Sequence, residues 1–342
     1  MSELSVYNDE IIELLRLQFP DFNRIQLDNF QQILGGADTT IYGFDFASET
    51  ETIPLILRIY RPAYSDSARR EFTVMRNLYT EGISVPRPYI CNENSSATGK
   101  SYIVMERIEG DILSNVLNST YSTPRFDVLL ESFVENLVKI NSIDWTTQFR
   151  FLDSYDIVEN SHLFIKHQIS HPKQLVQEYA LDTLSPVISW LEENQPELQE
   201  PCFLHSDYHA MNVLVRNDDS LVTIDWSNAK LGDFRYDLGF TILALRSMVH
   251  DLQDKIVKIY ENKAEVKVGD IDYFIVLSSL WNLFRIYSGA FDYRITGENP
   301  ETIRLLATEY YDYASAIIKT TQETTGVPLD TLLDELNKRK EE

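Results

Sequence analysis

The chain has 342 residues, of which 30 are Lys or Arg and 53 are Asp or Glu, so its formal net charge is −23. Hydrophobic residues make up 44% and aromatic residues 12%, which is typical of a folded globular protein and excludes disordered and fibrous classes. The negative charge disfavours general binding to nucleic acids or anionic lipid surfaces, because no long basic run offsets it. This length allows one large domain or two ordinary ones.

The cysteine content and the distribution of apolar residues predict the cellular compartment of the protein. Cys91 and Cys202 are too far apart in sequence for a metal cluster or a disulfide framework, so reduced thiols and a cytoplasmic location are expected. Residues 1–19 lack the basic start and continuous apolar stretch of a signal peptide. No apolar window of about eighteen residues occurs, so no membrane span is predicted.

The N-terminal part of the chain is predicted to be rich in strands. A leading helix over residues 8–19 carries apolar side chains at helical spacing and ends before Pro20. A second helix is predicted over residues 65–81, and Asn, Ser and Gly mark turns between the apolar runs. Antiparallel strands are predicted in five segments, which are residues 25–34, 39–47, 54–60, 88–92 and 101–108.

The remainder of the chain is predicted to be almost wholly helical. One exception is a small hairpin within residues 201–226, where short apolar runs flank an Asn-Asp-Asp-Ser turn. Residues 144–173 contain three histidines and few periodic positions, so they are interpreted as an insertion. The predicted helices cover residues 111–117, 125–140, 175–194, 236–250, 251–263, 271–290, 301–323 and 329–340.

The polar residues around this hairpin are spaced as phosphoryl transfer requires. Asp207 follows His205 by two residues, Asn212 follows Asp207 by five, and Asp225 follows Asn212 by thirteen. Phosphoryl transfer needs a carboxylate near the attacking hydroxyl and oxygen ligands that hold magnesium on the nucleotide phosphates. Because the hairpin lies between Asn212 and Asp225, the two carboxylates and the amide are predicted to converge at its open end.

With these motifs, HSDYHAMN and IDW, the chain resembles the aminoglycoside phosphotransferase and choline kinase-like family of small-molecule kinases, from Phe30 to the final helices. The resemblance implies an α+β, two-lobed, protein-kinase-like fold. Residues 1–107 would form a small antiparallel-sheet lobe that binds the nucleotide. Residues 108–342 would form a larger helical lobe that carries the catalytic loop and the acceptor site.

The resemblance also implies the roles of the catalytic residues. Asp207 would orient or deprotonate the acceptor hydroxyl, and Asn212 and Asp225 would bind Mg²⁺. His205 is expected to pack and hydrogen-bond within the loop rather than to take a proton.

Three neighbouring positions refine the resemblance. Ser206 stands where the family usually has glycine after the histidine. Asp237, in the stretch GDFRYDLG, is expected to brace the catalytic loop from the following helix. Trp226, at the position of the Phe in the DFG motif of protein kinases, indicates the small-molecule branch.

The phosphate end of the nucleotide site is predicted from a glycine turn and an ion pair. Gly35 and Gly36 lie in a turn where main-chain N–H groups can approach phosphates, although a plain hairpin turn explains them nearly as well. Arg58 emerges from an otherwise apolar strand and could contact the α and β phosphates. Glu71 falls on the inward face of its helix, so Arg58 is its expected partner, and Arg70 of the same helix is the alternative.

The purine end is predicted to rely on the main chain. The run YIVMERIEG reads as the strand that leads into the interlobe connector, where main-chain groups of Glu106 and Ile108 could hydrogen-bond a purine edge. Because main-chain recognition leaves no side-chain signature, both ATP and GTP stay open as co-substrates.

Three hypotheses for function follow. The leading one is a nucleotide-dependent kinase that phosphorylates a hydroxyl of a small molecule, such as an aminoglycoside, an amino sugar or an amino alcohol. The alternatives are an atypical protein serine/threonine kinase and a catalytically inactive nucleotide-binding scaffold. The acidic charge makes a cationic acceptor one option, and the sequence leaves the acceptor and the oligomeric state open. Side chains that could form an amine-binding wall, if they are not core residues, are Trp281, Tyr287, Asp292, Tyr293, Glu309 and Tyr310.

Overall fold

The structure is a computed structural model of the 342-residue chain. The residues that it describes are 6–22, 24–33, 39–49, 51–61, 65–153, 156–246, 252–296, 304, 308 and 310–341. The chain forms two compact units: Met1–Leu113 together with Asn212–Asn228, and Ser114–Met211 together with Ala229–Glu342.

Strands predominate in the first third of the chain, and helices predominate afterwards. The strands are β1 (Gln26–Ile33), β2 (Thr39–Ala47), β3 (Thr52–Tyr60), β4 (Pro88–Asn92), β5 (Tyr102–Glu106), β6 (Asp111–Ile112), β7 (Cys202–Leu204), β8 (Val213–Val215), β9 (Leu221–Thr223) and β10 (Lys230–Gly232). The helices are α1 (Asn8–Gln18), α2 (Ser65–Thr80), α3 (Leu113–Thr120), α4 (Pro124–Asn141), α5 (Trp145–Gln148), α6 (His162–Tyr179), α7 (Ser185–Glu193), α8 (Arg235–Arg246), α9 (Gln253–Ala264), α10 (Ile271–Ala290), α11 (Tyr311–Thr325) and α12 (Asp330–Glu341).

The first unit is built on a five-stranded antiparallel sheet in the order β1-β2-β3-β5-β4. Alternate residues of β2 and β3 face a core that α1 covers, and fully burying each large apolar side chain stabilises the fold by about 1.5–3 kcal/mol. The fully buried members of this core include Ile11, Leu15, Phe44, Phe46, Leu55 and Leu57. The helix predicted over residues 65–81 is present as α2, and the five predicted strand segments correspond to β1–β5.

Glu10 of α1 fastens this helix to the turn between β4 and β5. Its carboxylate accepts hydrogen bonds from Ser95 Oγ at 2.7 Å, from the main-chain N–H of Ser96 at 3.0 Å and from Asn92 Nδ2 at 3.0 Å. The predicted packing helix is therefore held by polar contacts as well as by its apolar face.

Two predicted helices were wrong in part. Asp111 and Ile112 form strand β6, which pairs with β8, and α3 begins only at Leu113. Gly110 precedes this strand, and a Cβ at that position would lie 2.5 Å from the carbonyl oxygen of Val215, so the close approach needs glycine. Pairing with a strand a hundred residues away overrides the local helical pattern.

The helix predicted over residues 175–194 is in fact two helices. Helix α6 ends at Tyr179, followed by Ala180 in the left-handed conformation with φ 51°, and α7 begins at Ser185 with a proline in its first turn. A proline fits the first turn of a helix, where its missing N–H is not needed, so this proline is typical of the start of α7. Residues 144–173, predicted as an insertion, contain α5, a short 3₁₀ turn and the larger part of α6.

The second unit packs α8 against the long, largely buried helix α10. A Cβ at Gly239 of α8 would lie 2.7 Å from the main chain of Phe274 in α10, so the two backbones meet without an intervening side chain. The last residues of the helix predicted over 236–250, and most of the first part of the one predicted over 301–323, lie outside the described residues. In the described part of the chain, none of the helices is both long and apolar enough to cross a membrane.

Candidate active site

Arg58 of β3 is the centre of a buried ion network in the first unit. Its side chain is on the sheet face opposite to the α1 core, and the residue is only 8% exposed. Its Nη1 donates to Glu71 Oε1 at 2.7 Å, and its Nη2 donates to Asp225 Oδ1 at 3.1 Å. The planar guanidinium thus joins two carboxylates that are 154 residues apart in sequence.

Glu71 reaches this network from the inward face of α2. The carboxylate also accepts a hydrogen bond of 2.5 Å from the hydroxyl of Tyr60, which lies on the same face of β3 as Arg58. Complete burial raises the pKa of Glu71, and the guanidinium of Arg58 opposes that rise. The structure therefore brings together the two residues that strand alternation and helical periodicity paired in sequence.

Asn212 and Asp225 lie side by side at the open end of the β8–β9 hairpin. The main-chain N–H of Ile224 donates to the carbonyl oxygen of Asn212 at 2.9 Å, and Asp225 follows directly. Asp225 has φ 63°, a left-handed conformation that is strained for a residue other than glycine, and its Oδ1 accepts a hydrogen bond from Ser227 Oγ at 2.9 Å. Carboxylate and amide oxygens are the hard ligands that Mg²⁺ prefers, so this donor set fits that ion.

In the second unit, the loop that contains His205 and Asp207 is held by Asp237. The buried carboxylate of Asp237 accepts hydrogen bonds from the main-chain N–H groups of His205 at 2.8 Å and Ser206 at 2.7 Å, and from Asn141 Nδ2 at 3.3 Å. Burial raises the pKa of Asp237, whereas His205 and these donors lower it. Asp237 thus braces the loop from α8 in the way that the sequence indicated.

His205 is buried and stabilises its own loop. Its Nδ1 accepts a hydrogen bond of 3.2 Å from the main-chain N–H of Asp207, so the ring bridges the turn. The side chain of Asp207 is 30% exposed, and its Oδ1 lies 3.5 Å from Nε2 of His209. Asp207 is the carboxylate of the loop that an incoming hydroxyl could reach, whereas His205 is enclosed.

Ser206 occupies a position that favours glycine. Its φ is 68°, in the left-handed region, so the serine at this site carries backbone strain that glycine would not. Among the described contacts, its buried Oγ has no hydrogen-bond partner. The residue type that differed from the family pattern is therefore also the one in an unfavourable local geometry.

A second buried ion pair anchors the start of α8, and the sequence reasoning missed it. Arg235 donates from Nε to Asp233 Oδ1 at 2.9 Å and from Nη2 to Asp233 Oδ2 at 2.6 Å, and its guanidinium lies 4.3 Å from the centre of the Phe274 ring. The signal was an arginine two residues after an acid within GDFRYDLG, directly before a buried helix. The pair fixes the helix whose Asp237 braces the loop.

The remaining nucleotide-site predictions fall near the end of β5 or outside the described residues. Gly35 and Gly36 lie outside the described residues. The main-chain N–H of Glu106 donates to the carbonyl of Arg87 at 2.8 Å, so a purine contact at Glu106 would use its carbonyl oxygen. Ile108 follows in the connector.

The predicted amine-binding wall is largely engaged in other contacts. The ring of Trp281 lies 5.1 Å from that of His171, and the ring of Tyr287 lies 4.6 Å from that of Phe291. Hydrogen bonds from Arg294 lower the pKa of Asp292 to about 2. Tyr293 and Tyr310 are exposed, and Glu309 lies outside the described residues.

The family of this chain follows from comparison with known proteins. A model of the phosphotransferase enzyme family, APH, matches residues 29–272, which is more than half of the chain. The chain belongs to this family.

Several solved structures share the fold. An aminoglycoside phosphotransferase-class protein of Ralstonia eutropha JMP134 superposes with a TM-score of 0.67 at 15% identity, covering 96% of this chain and 98% of that one. A mutant of aminoglycoside phosphotransferase APH(4)-Ia, in a ternary complex with ADP and hygromycin B, gives 0.56 at 14% identity, covering 93% and 98%. ADP-bound APH(2'')-Ib gives 0.56 at 17% identity, covering 92% and 98%. The predicted α+β, protein-kinase-like fold is thereby confirmed.

Curated relatives match only part of the chain. Acyl-CoA dehydrogenase family member 11 of Rattus norvegicus is 27% identical over 175 residues, which cover 49% of this chain and 22% of the relative. Acyl-CoA dehydrogenase family member 10 of Mus musculus is 24% identical over 180 residues, which cover 51% and 16%. The match therefore spans about a fifth of these much longer relatives.

Proposed function

We propose that this protein transfers the γ-phosphoryl group of a magnesium-bound nucleoside triphosphate, ATP or GTP, to a hydroxyl of a small molecule. The observation that carries the proposal is the buried guanidinium of Arg58, which joins Glu71 at 2.7 Å to Asp225 at 3.1 Å. Phosphoryl transfer depends on positioned cations and metal-binding oxygens, and this network supplies a fixed cation beside a carboxylate that suits Mg²⁺.

In this proposal, residues 1–107 form the nucleotide-binding lobe and residues 108–342 form the acceptor lobe. Arg58 contacts the phosphates, and the carbonyl of Glu106 and the main chain of Ile108 contact the purine edge. Asn212 and Asp225 would hold Mg²⁺, which when bound neutralises charge on the phosphates.

Asp207 acts as the base in the chemical step. The acceptor oxygen forms a bond to the γ-phosphorus, the bond from that phosphorus to the β,γ-bridging oxygen breaks, and the nucleoside diphosphate leaves with the electron pair. Asp207 accepts the hydroxyl proton and later releases it to water. A positioned base of this kind contributes about 10²–10⁴ in rate. His205 and Asp237 hold the loop so that Asp207 keeps its place.

The test is an acceptor screen by coupled release of ADP with magnesium and ATP. The panel includes aminoglycosides, amino sugars, amino alcohols, diols, hydroxy acids and sugar phosphates. We expect at least one acceptor to raise ADP release above the acceptor-free rate, and Asp207→Asn to lower that rate by about 10²–10⁴. The matched control is Asp218→Asn, which changes an exposed carboxylate at the tip of the β8–β9 hairpin and should keep full activity.

Three outcomes would contradict the proposal. Full turnover in Asp207→Asn would remove the base from the mechanism. Nucleotide binding without transfer to any member of the panel would instead support an inactive scaffold, and transfer only to added proteins would support a protein kinase.

A further inference from the structure

A lysine lies directly beside the catalytic loop in the second unit. Lys230 of β10 pairs with Leu204 of β7, and His205 is the next residue after Leu204. Lys230 Nζ donates to Gln168 Oε1 at 3.1 Å and lies 4.7 Å from the centre of the Tyr236 ring. Strand pairing therefore places Lys230 opposite a residue that lies three positions before Asp207 in sequence. The Tyr236 ring and the Gln168 amide orient its ammonium group.

A second cation reaches the same group of side chains from α10. Arg285 Nη1 donates to Asn282 Oδ1 at 3.1 Å, and Asn282 Nδ2 donates to the hydroxyl of Tyr313 at 3.2 Å. Tyr313 lies in the first turn of α11, which packs against both α8 and α10. Arg285 itself is half-buried.

Two tyrosines connect these cations with Asp207. Burial is the main cause that raises the pKa of Tyr236 and of Tyr313, and the charge of Asp207 adds to the rise in both. The charge of Arg285 lowers the pKa of Tyr313, and the interaction with Tyr236 raises it. Both phenols therefore stay protonated at neutral pH, and both lie within electrostatic range of the proposed base.

The side chains of Lys230, Tyr236, Tyr313 and Arg285 thus form a group with two cations, the cationic cluster, whose two phenols interact electrostatically with Asp207. The cluster is unexpected in a chain of net charge −23, and it is the opposite of the acidic wall that an amine acceptor would need. Guanidinium and ammonium groups beside phenol donors are suited to a carboxylate or a phosphate.

Building on the proposed function, we propose that the acceptor carries an anionic group, a carboxylate or a phosphate, in addition to the hydroxyl that is phosphorylated. Lys230 and Arg285 bind the anionic group, while Asp207 receives the hydroxyl. The substrate class is therefore a hydroxy acid or a hydroxylated phosphate ester rather than a cationic amine.

The test uses matched probes that differ only in the charged group. The panel contains ω-hydroxycarboxylates of stepped chain length, the corresponding ω-hydroxycarboxamides, the corresponding amino alcohols and the monophosphate esters of the diols. Binding is measured by titration calorimetry in the presence of magnesium and ADP, and turnover by ADP release. We expect at least one carboxylate or phosphate to bind roughly tenfold or more tightly than its neutral counterpart, as charge-assisted hydrogen bonds would give. The two anionic arms show which anion is preferred.

Substitution then locates the binding. Lys230→Gln and Arg285→Gln should each reduce the preference for the anionic probe over its neutral counterpart by roughly tenfold. Arg285→Lys should retain part of it. Lys173→Gln removes a half-exposed lysine of the same unit, which pairs with Glu192, and serves as the matched control. Thermal melts check that each variant is folded. If a variant does not fold, the comparison of anionic and neutral probes on the wild-type protein tests the proposal.

The outcomes separate the two proposals. Equal binding of anionic and neutral probes, tighter binding of amino alcohols, or an unchanged anion preference in both glutamine variants overturns the cationic cluster as the acceptor site. Transfer to neutral or cationic acceptors alone overturns this inference and keeps the kinase. Anion-selective binding that depends on Lys230 and Arg285, without transfer to any probe, supports this inference and counts against the kinase.

Discussion

Two buried carboxylates, one in each compact unit, are held by different kinds of partner. Glu71 is met by side chains, the guanidinium of Arg58 and the hydroxyl of Tyr60. Asp237 is met chiefly by the main-chain N–H groups of His205 and Ser206. A side-chain partner can rotate and exchange contacts, whereas a main-chain partner fixes the path of the backbone. The first network is therefore suited to respond to a bound polyanion, and the second to hold a loop in one shape.

The largest loss of stability is expected for a substitution of Asp237, because its carboxylate holds the main chain of the loop. Asp237→Ala would remove the acceptor of two main-chain N–H groups in the interior, whereas Asn141 Nδ2 keeps its bond to the carbonyl of Phe203, so the free energy of unfolding should fall by about 3–5 kcal/mol. Turnover should fall as well, because the loop loses its brace. Urea denaturation and the ADP-release assay measure the two effects.

Asp237→Asn is the matched control for this change. It keeps the shape and one acceptor oxygen, so it should lose less stability than the alanine variant. A loss below about 1 kcal/mol in Asp237→Ala would mean that the loop is held by other contacts.

The side-chain network should be less costly to break but more sensitive to ligand. Glu71→Gln leaves Arg58 with Asp225 as its remaining carboxylate, so the free energy of unfolding should fall by about 2–3 kcal/mol and nucleotide affinity should weaken. Tyr60→Phe removes a single hydrogen bond to Glu71 and should cost about 1–2 kcal/mol. Denaturation curves with and without Mg-ADP measure both effects. Equal losses in the two variants would contradict a network centred on the ion pair.

A smaller change, in the stabilising direction, is expected at Ser206. Ser206→Gly relieves a left-handed serine and removes a buried hydroxyl, so stability should rise by about 1 kcal/mol. Ser122→Gly is the control, because Ser122 has a similar φ of 65° but an exposed side chain. The difference between their thermal midpoints isolates the cost of the buried hydroxyl. A destabilised Ser206→Gly would show that Oγ makes a useful contact.

The smallest effect is expected at a carboxylate near the solvent. Burial raises the pKa of Glu10, but hydrogen bonds from Ser95, Ser96 and Tyr102 outweigh it and lower the pKa below its ordinary value of 4.5. A lowered pKa stabilises the fold fully above the unfolded value, and this contribution is lost as the pH falls through the folded pKa.

Glu10→Gln should therefore lower the thermal midpoint slightly at pH 7, and the difference from the wild type should vanish on acidification below the ordinary pKa of 4.5. Melting curves over this pH range check the sign. A difference that grows on acidification would contradict it.

Local patterns predicted the features that depend on neighbours along the chain. Strand alternation at Arg58 and helical spacing at Glu71 were sufficient to pair them, and the motif spacing placed Asn212 and Asp225 at one end of a hairpin. The failures involve distant partners or the backbone. Strand β6 exists because it pairs with β8, and neither the left-handed φ of Ser206 nor the Arg235–Asp233 anchor has a periodic signature.

The central claim is that Asp207 drives transfer of a γ-phosphoryl group to a hydroxyl, and ³¹P NMR observes that transfer directly. With ATP, magnesium and the acceptor found in the screen, a new phosphomonoester resonance should grow as the γ-phosphate resonance of ATP declines. The signal should appear with wild type and Asp218→Asn and be absent on the same timescale with Asp207→Asn. Formation of inorganic phosphate alone, or equal growth of the ester signal with Asp207→Asn, would contradict the account.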